Sequence, residues 1–228
     1  MKYISAILLV FVVIFSSGCK QQETPVTEPT IFEDYFIRYL SQEKQLKAQA
    51  VFGIGDMVTT ATAFVPVGGA AFMSSGMEMR KISDDLVRYT QEMNTEYQKS
   101  FRFRYKNTLG QANNYEISMT PVQDFFIQSE VSKSNGLDLV INGGLLAEGE
   151  TLVFIFSDQN SVAASFDING PTKDISYHLP PEAIKNLTPG AGKLYIVKKT
   201  NKNESLDHRE IHAEIEFYTN DLDIEIVE

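Results

Sequence analysis

The stretch Phe101-Arg102-Phe103-Arg104-Tyr105-Lys106 alternates large aromatic and basic side chains with period two, the pattern of a strand that buries one face. Leu109-Gly110-Gln111 ends the run as a turn, and Tyr115, Ile117 and Met119 begin a partner strand, so the segment reads as a β-hairpin. Upstream, Leu46, Ala48, Ala50 and Phe52 alternate with Gln45, Lys47, Gln49 and Val51 in the same way. Downstream, the spacing recurs at residues 151–157, 161–168, 193–199 and 210–217, each bounded by Gly, Asn, Asp or Pro. Residues 83–94 admit two readings. Ser83 would cap a helix with Leu86, Tyr89 and Met93 on one face, or Val87, Tyr89, Gln91 and Met93 would share one side of a strand; the strand is preferred. Residues 61–73 are the most apolar internal stretch, and Pro66 with Gly68-Gly69 points to a core strand running into a turn rather than a continuous central strand.

Strand-like segments fall on both sides of Met119-Thr120-Pro121, and their regular spacing predicts an all-β chain of two tandem β-sandwiches, residues 31–122 and 123–228. Leu187-Thr188-Pro189-Gly190, followed by Lys193-Leu194-Tyr195-Ile196-Val197, resembles the corner before the sixth strand of fibronectin type III and related immunoglobulin-like domains. Ala191-Gly192 lengthens the turn here, which leaves Leu194 or Tyr195 to take the anchoring position. The resemblance implies an immunoglobulin-like sandwich for the second half. Such sandwiches serve adhesion, scaffolding and glycan binding alike, so the fold does not name an activity.

The N-terminus carries a different signal. Met1-Lys2, an apolar run over residues 4–15 and the small-residue site Ser16-Ser17-Gly18-Cys19 have the three parts of a secretory signal. The apolar run is shorter than the roughly 20 residues that span a bilayer. The arrangement resembles the lipobox of bacterial lipoproteins, with Ser16 where an aliphatic residue is usual. That resemblance implies cleavage after residue 18 and acylation of Cys19, the only cysteine in the chain. A lipidated Cys19 leaves no thiol for a disulfide, a zinc-thiolate site or a cysteine nucleophile. Residues 19–30, polar and holding Pro25 and Pro29, read as the lipidated cysteine and an extended tether. Lys20 stands where an inner-membrane retention signal would place Asp, which favours the outer membrane, and Lys20-Gln21-Gln22-Glu23 resembles a surface-export signal.

The chain has a formal net charge of −10. Residues 31–122 hold ten Lys and Arg against ten Asp and Glu, while residues 123–228 hold eight against eighteen. An acidic distal half repels nucleic acid and anionic headgroups. Three constellations are candidate sites. Arg102, Arg104 and Lys106 form a cationic strip, and Tyr89, Tyr97 and Tyr105 would supply stacking surfaces that suit a glycan, with Arg102, Arg104 and Tyr105 as the ligand-binding candidates. If residues 204–217 form one strand, His208, Glu210, His212, Glu214 and Glu216 share a side, and His212 with Glu210 or Glu214 is a weak metal candidate. His208 and His212 would lie about 13 Å apart and cannot chelate one ion by themselves. Asp221, Asp223 and Glu225 alternate with Leu222, Ile224 and Ile226, an acidic stripe that could offer calcium ligands. Calcium needs about six to eight oxygens and a straight strand cannot wrap an ion, so a charged amphipathic edge strand is preferred.

The chain has no Gly-x-Ser-x-Gly elbow, His-Glu-x-x-His pair, phosphate loop or dinucleotide fingerprint. The expectation is a non-catalytic envelope lipoprotein, without a cofactor, held in the membrane at Cys19 and contacting a protein partner as an adhesin or scaffold. A binder of glycan or another small ligand is the alternative, and it requires exposed tyrosines beside Arg102 and Arg104.

Overall fold

The computed structural model describes residues 29–228. The signal segment, Cys19 and most of the tether lie outside the described residues. Eighteen strands follow one another: β1 (Thr30–Leu40), β2 (Gln45–Gly55), β3 (Thr62–Ala63), β4 (Ala71–Phe72), β5 (Ser75–Gly76), β6 (Glu78–Ser83), β7 (Leu86–Asn94), β8 (Ser100–Lys106), β9 (Ala112–Ser118), β10 (Asp124–Ile127), β11 (Val131–Ser132), β12 (Leu137–Asn142), β13 (Glu150–Asp158), β14 (Ala163–Asn169), β15 (Ser176–Leu179), β16 (Gly190–Leu206), β17 (Arg209–Tyr218) and β18 (Leu222–Val227). The fold is an all-β sandwich. Within residues 83–94, Leu86–Asn94 form a strand rather than a helix, because Val87 and Tyr89 bury one side at period two, while Ser83 ends β6 and Asp84-Asp85 form the turn between them.

One large sheet runs β11-β18-β16-β17-β1-β2-β7-β6, with β13 and β14 added along β16. Two smaller sheets cover it, β5-β4-β8-β9 and β10-β12-β15. Over β17, β1 and β2 the inward rows pack against β8 and β9: Tyr35 stacks on Phe103 with centroids 4.4 Å apart and on Tyr115 at 5.2 Å, and Phe52 meets Tyr105 at 4.5 Å. Farther along β16, Leu152, Phe154 and Phe156 of β13 and Leu194 and Ile196 of β16 pack with Leu139 and Ile141 of β12 and Tyr177 of β15. Leu194 takes the inward anchoring position and Tyr195 stays half-exposed against Tyr218.

The expected boundary at Val122/Gln123 separates β9 from β10, but it is not a break in the large sheet. β16 pairs with β13 up to Thr200, then with β17 from Val197 to Leu206, and β17 pairs in parallel with β1. The β16–β17 hairpin therefore carries residues from the acidic half into the first layer pair. Its inward row of Ile211, Ala213, Ile215 and Phe217 is buried there, and Phe217 stacks on Tyr39 at 5.5 Å. Residues 204–217 are not one strand: Asp207 and His208 turn the chain with φ of 28° and 59°.

A charged pair occupies the inward rows of β1 and β17. Glu33, 2% exposed, receives a two-pronged contact from Arg209, Nη2 to Oε2 at 2.8 Å and Nε to Oε1, and further hydrogen bonds from the hydroxyls of Tyr35 and Tyr105. Asn113 Nδ2 in turn donates to the Tyr105 hydroxyl at 2.8 Å. Burial raises the Tyr35 hydroxyl well above its ordinary pKa, with the Glu33 charge adding to it. Burial alone would lower the pKa of Arg209, but the hydrogen bonds and charge of Glu33 override it and raise it. The carboxylate accepts from three side chains and the guanidinium is matched in geometry, which is what a buried pair requires to repay its desolvation.

Removing one member leaves the other charged and buried. Arg209→Met is expected to cost about 3–5 kcal/mol in urea unfolding, with the double variant Glu33→Gln/Arg209→Met recovering part of the loss. At the far end, Asp158 accepts backbone N–H bonds from Asn160, Val162 and Thr188 at 2.8, 2.9 and 2.8 Å. The Thr188 contact is the largest cause, and together these bonds outweigh desolvation and bring the carboxyl down to about 2. The unfolded carboxyl titrates near 3.8, so the contribution is complete above that pH and is lost as pH falls through 2. Asp158→Asn should lower the urea midpoint at pH 6, and the gap to the parent protein should close as both are measured toward pH 2.

Candidate functional site

The outer face of the large sheet, over β16, β17, β1 and β2, collects polar side chains from both ends of the chain. Pairing places Asn203 of β16 opposite His212 of β17, His212 opposite Asp34 of β1, and Asp34 opposite Val51 of β2. One step toward the start of β1 the row contains Ser205, Glu210, Phe32 and Gly53. Glu210, His212, Glu214 and Glu216 thus share a face, as the period-two pattern requires, whereas His208 sits in the turn.

His212 Nδ1 lies 2.8 Å from Asp34 Oδ1, and its Nε2 lies 3.1 Å from Asn201 Nδ2. An amide nitrogen only donates, so this amide orientation pairs with the tautomer in which Nε2 accepts and Nδ1–H faces the carboxylate. The Asp34 carboxylate and the Asn201 amide fix the ring between them. Glu210 accepts from Ser205 Oγ at 2.6 Å. Glu214 is raised from its ordinary value by burial and by the neighbouring Glu216 charge. Burial pushes the Glu216 carboxyl up as well, but Lys199 at 2.7 Å, the Tyr218 hydroxyl at 2.9 Å and Arg38 bring it below its ordinary value.

Beside this row a groove of about 580 Å³ opens between the strands and the segment that follows β2. Phe32, Val51, Val58 and Ala61 give it apolar walls, while Asp34, Asp85, Asn203, Glu210 and His212 give it polar ones. No Lys or Arg lines it. The segment lies close because Gly53 has no side chain: a Cβ there would stand 3.2 Å from that of Ala61. The volume is in the range of sites that take a side chain or small ligand.

The other expected constellations are placed differently. Tyr105 is buried and points into the core toward Glu33, while Arg102 and Arg104 project from the opposite face of β8; Arg102 pairs with Glu116 at 3.2 Å. Alternation on a strand separates the three by construction, so the aromatic surface expected beside the two arginines is not there. Tyr89 is likewise buried, and the Tyr97 hydroxyl donates to Met119 O. Among the described residues no group of three or more His, Cys, Asp or Glu is placed to hold a metal ion. The weak candidates His212, Glu210 and Glu214 share a face, but His212 is committed to Asp34 and Asn201. In the stretch 61–73, Phe72 is buried, while Val65 and Val67 are exposed on the loop with Gly68 and Gly69 at φ of 84° and 75°.

Sequence reasoning missed Asp34 and the walls contributed by residues 51–62. No local signal links β1 to β17, 178 positions apart at Asp34 and His212. No protein-family model matches the chain, and no curated protein matches it.

The groove's polar residues are surface groups held by exposed contacts, each worth about 0.2–1 kcal/mol. His212→Ala and Glu210→Lys are each expected to change the urea unfolding free energy by less than about 1 kcal/mol. A loss comparable to that of Arg209→Met would place these side chains in the support of the fold.

Proposed function

We propose that the chain is a lipid-anchored cell-envelope protein whose sandwich fold acts as a non-catalytic interaction module, contacting a protein partner as an adhesin or scaffold. The groove over β1, β2 and β17 carries the reading. Its apolar walls and acidic rim, without a lysine or arginine, suit a protein segment that offers an apolar side chain next to Lys or Arg. His212 is flanked by a carboxylate and an amide, an arrangement that fixes a side chain for recognition. The second layer pair supports an immunoglobulin-like reading, with β10, β12 and β15 on one side and β14, β13, β16 and β18 on the other.

The anchor rests on residues 1–19. It accounts for the single cysteine and for a polar spacer ahead of β1, and Lys20 favours the outer membrane. Glycan binding loses its proposed carrier with the burial of Tyr105 and Tyr89.

Two measurements test the proposal. Cys19→Ala should abolish incorporation of labelled fatty acid and leave an uncleaved precursor; normal labelling would sink the anchor. A photocrosslinking residue at Val51 in the full-length protein should capture one defined protein in cells, and Asp34→Lys/Glu210→Lys should abolish the capture while Arg102→Glu leaves it intact. Capture that is indifferent to the groove reversal, or that is lost with Arg102, would move the interface off the groove.

A further inference from the structure

Exposed apolar side chains gather at the end of the molecule where β1 begins. Met57 (58% exposed) and Val58 (68%) follow Gly55, which pairs with Thr30 at the start of β1. Leu206 (45%) pairs with Arg209, and Arg209 lies opposite Ile31. Ile82 (53%) precedes the β6–β7 turn, where Asp85 faces the same groove as Phe32 and Val58. Leu109 (61%) tops the β8–β9 turn, just beyond Tyr105, whose hydroxyl reaches Glu33 near the start of β1. Four separate chain reversals thus each present an apolar side chain around the point where Thr30 enters the fold.

We infer that this end rests on the bilayer surface that holds the acylated Cys19. The inference depends on the anchor proposed above. The chain length agrees with it: Thr30 lies eleven positions after Cys19, a span of at most about 40 Å when extended, and less when it is slack. The tether enters the fold inside the apolar group, so the anchor draws this end toward lipid rather than the far one. Asp56, Asp84, Asp85 and Asp207 stand among the apolar tips, with Lys81 paired to Asp84 at 2.7 Å. That charge favours a surface of zwitterionic headgroups over an anionic one. The contact adds a shallow second attachment and orients the molecule, with β16 leading away from the membrane toward the second layer pair.

The experiment uses the full-length acylated protein in phosphatidylcholine vesicles. Because Cys19 is consumed by lipid, a cysteine introduced at Leu109, Leu206 or Val162 is the one free thiol and takes an environment-sensitive fluorophore. Val162 is the control: it adjoins Asp158, which pairs with Gly192, fourteen residues and about 45 Å of strand from Leu206. Quenching by lipids labelled near the headgroup should be at least threefold stronger at positions 109 and 206 than at 162, and should weaken when phosphatidylglycerol is added. Equal quenching at all three positions, with the mass of the acylated protein confirmed, overturns the seating and leaves the anchor intact. A protein of unacylated mass overturns the anchor and the seating together.

Discussion

The parallel pairing of β1 with β17 is the constraint on which the rest of the structure depends. A parallel pair cannot be closed by a tight turn, so the chain must travel a long way between the two strands. Here it travels through the rest of the first layer pair and all of the second but β18, runs back along β16 and turns at Asp207-His208 before β17 lies down beside β1. The buried Glu33–Arg209 pair sits at the start of both strands and joins them to Tyr35 and Tyr105. A one-residue slip of β17 against β1 would turn Arg209 outward and leave Glu33 charged and unmatched in the core, on top of exposing the apolar row. The pair thus specifies the register of the joint that makes one sheet out of the two ends of the chain.

β16 is the mechanical counterpart of that joint. It is 17 residues long and runs from one layer pair to the other along one continuous core. Where it passes from one to the other, Lys198 is buried with 1% exposure, its ammonium donating to Gly143 O at 3.1 Å and Leu145 O at 2.7 Å and lying 3.3 Å from Glu150. Burial lowers its pKa and Glu150 partly restores it. Three partners for three ammonium protons leave nothing unsatisfied, and they tie the crossing strand to the loop after β12 and to the start of β13. A strand shared in this way, with a pinned lysine at the crossing, opposes bending between the layer pairs more than a loop linker would.

Much of the secondary structure was legible because one face of β2, β8, β9 and β17 is buried while the other stays closer to solvent. The β8–β9 hairpin, β2, β13 and β17 announce themselves by period two, and the rows they assign inward are the rows that are buried. The pattern could not say which strands are neighbours. Residues 204–217 kept a plausible alternation through the turn, and no glycine marked it, since non-glycine residues adopt the positive φ values there. One signal was present and unread: Glu33 and Arg209 are opposite charges on two otherwise apolar rows, and a charge on a buried row calls for a partner of the opposite sign.

The candidate site was half legible for the same reason. Alternation placed Glu210, His212, Glu214 and Glu216 on one face, and the same rule separates Tyr105 from Arg102 and Arg104. The groove itself needs three remote pieces, β1, the β16–β17 hairpin and the segment after β2, and exists only once the parallel joint has formed. Glu210 at its edge, with Glu214 and Glu216 farther along β17, belongs in sequence to the C-terminal half but in space to the first layer pair. Charge counted along the chain therefore misplaces the electrostatic character of the two layer pairs. The joint that brings the ends of the chain together also sets the acidic rim beside the apolar tips, so recognition at the groove and seating of the tethered end share one support.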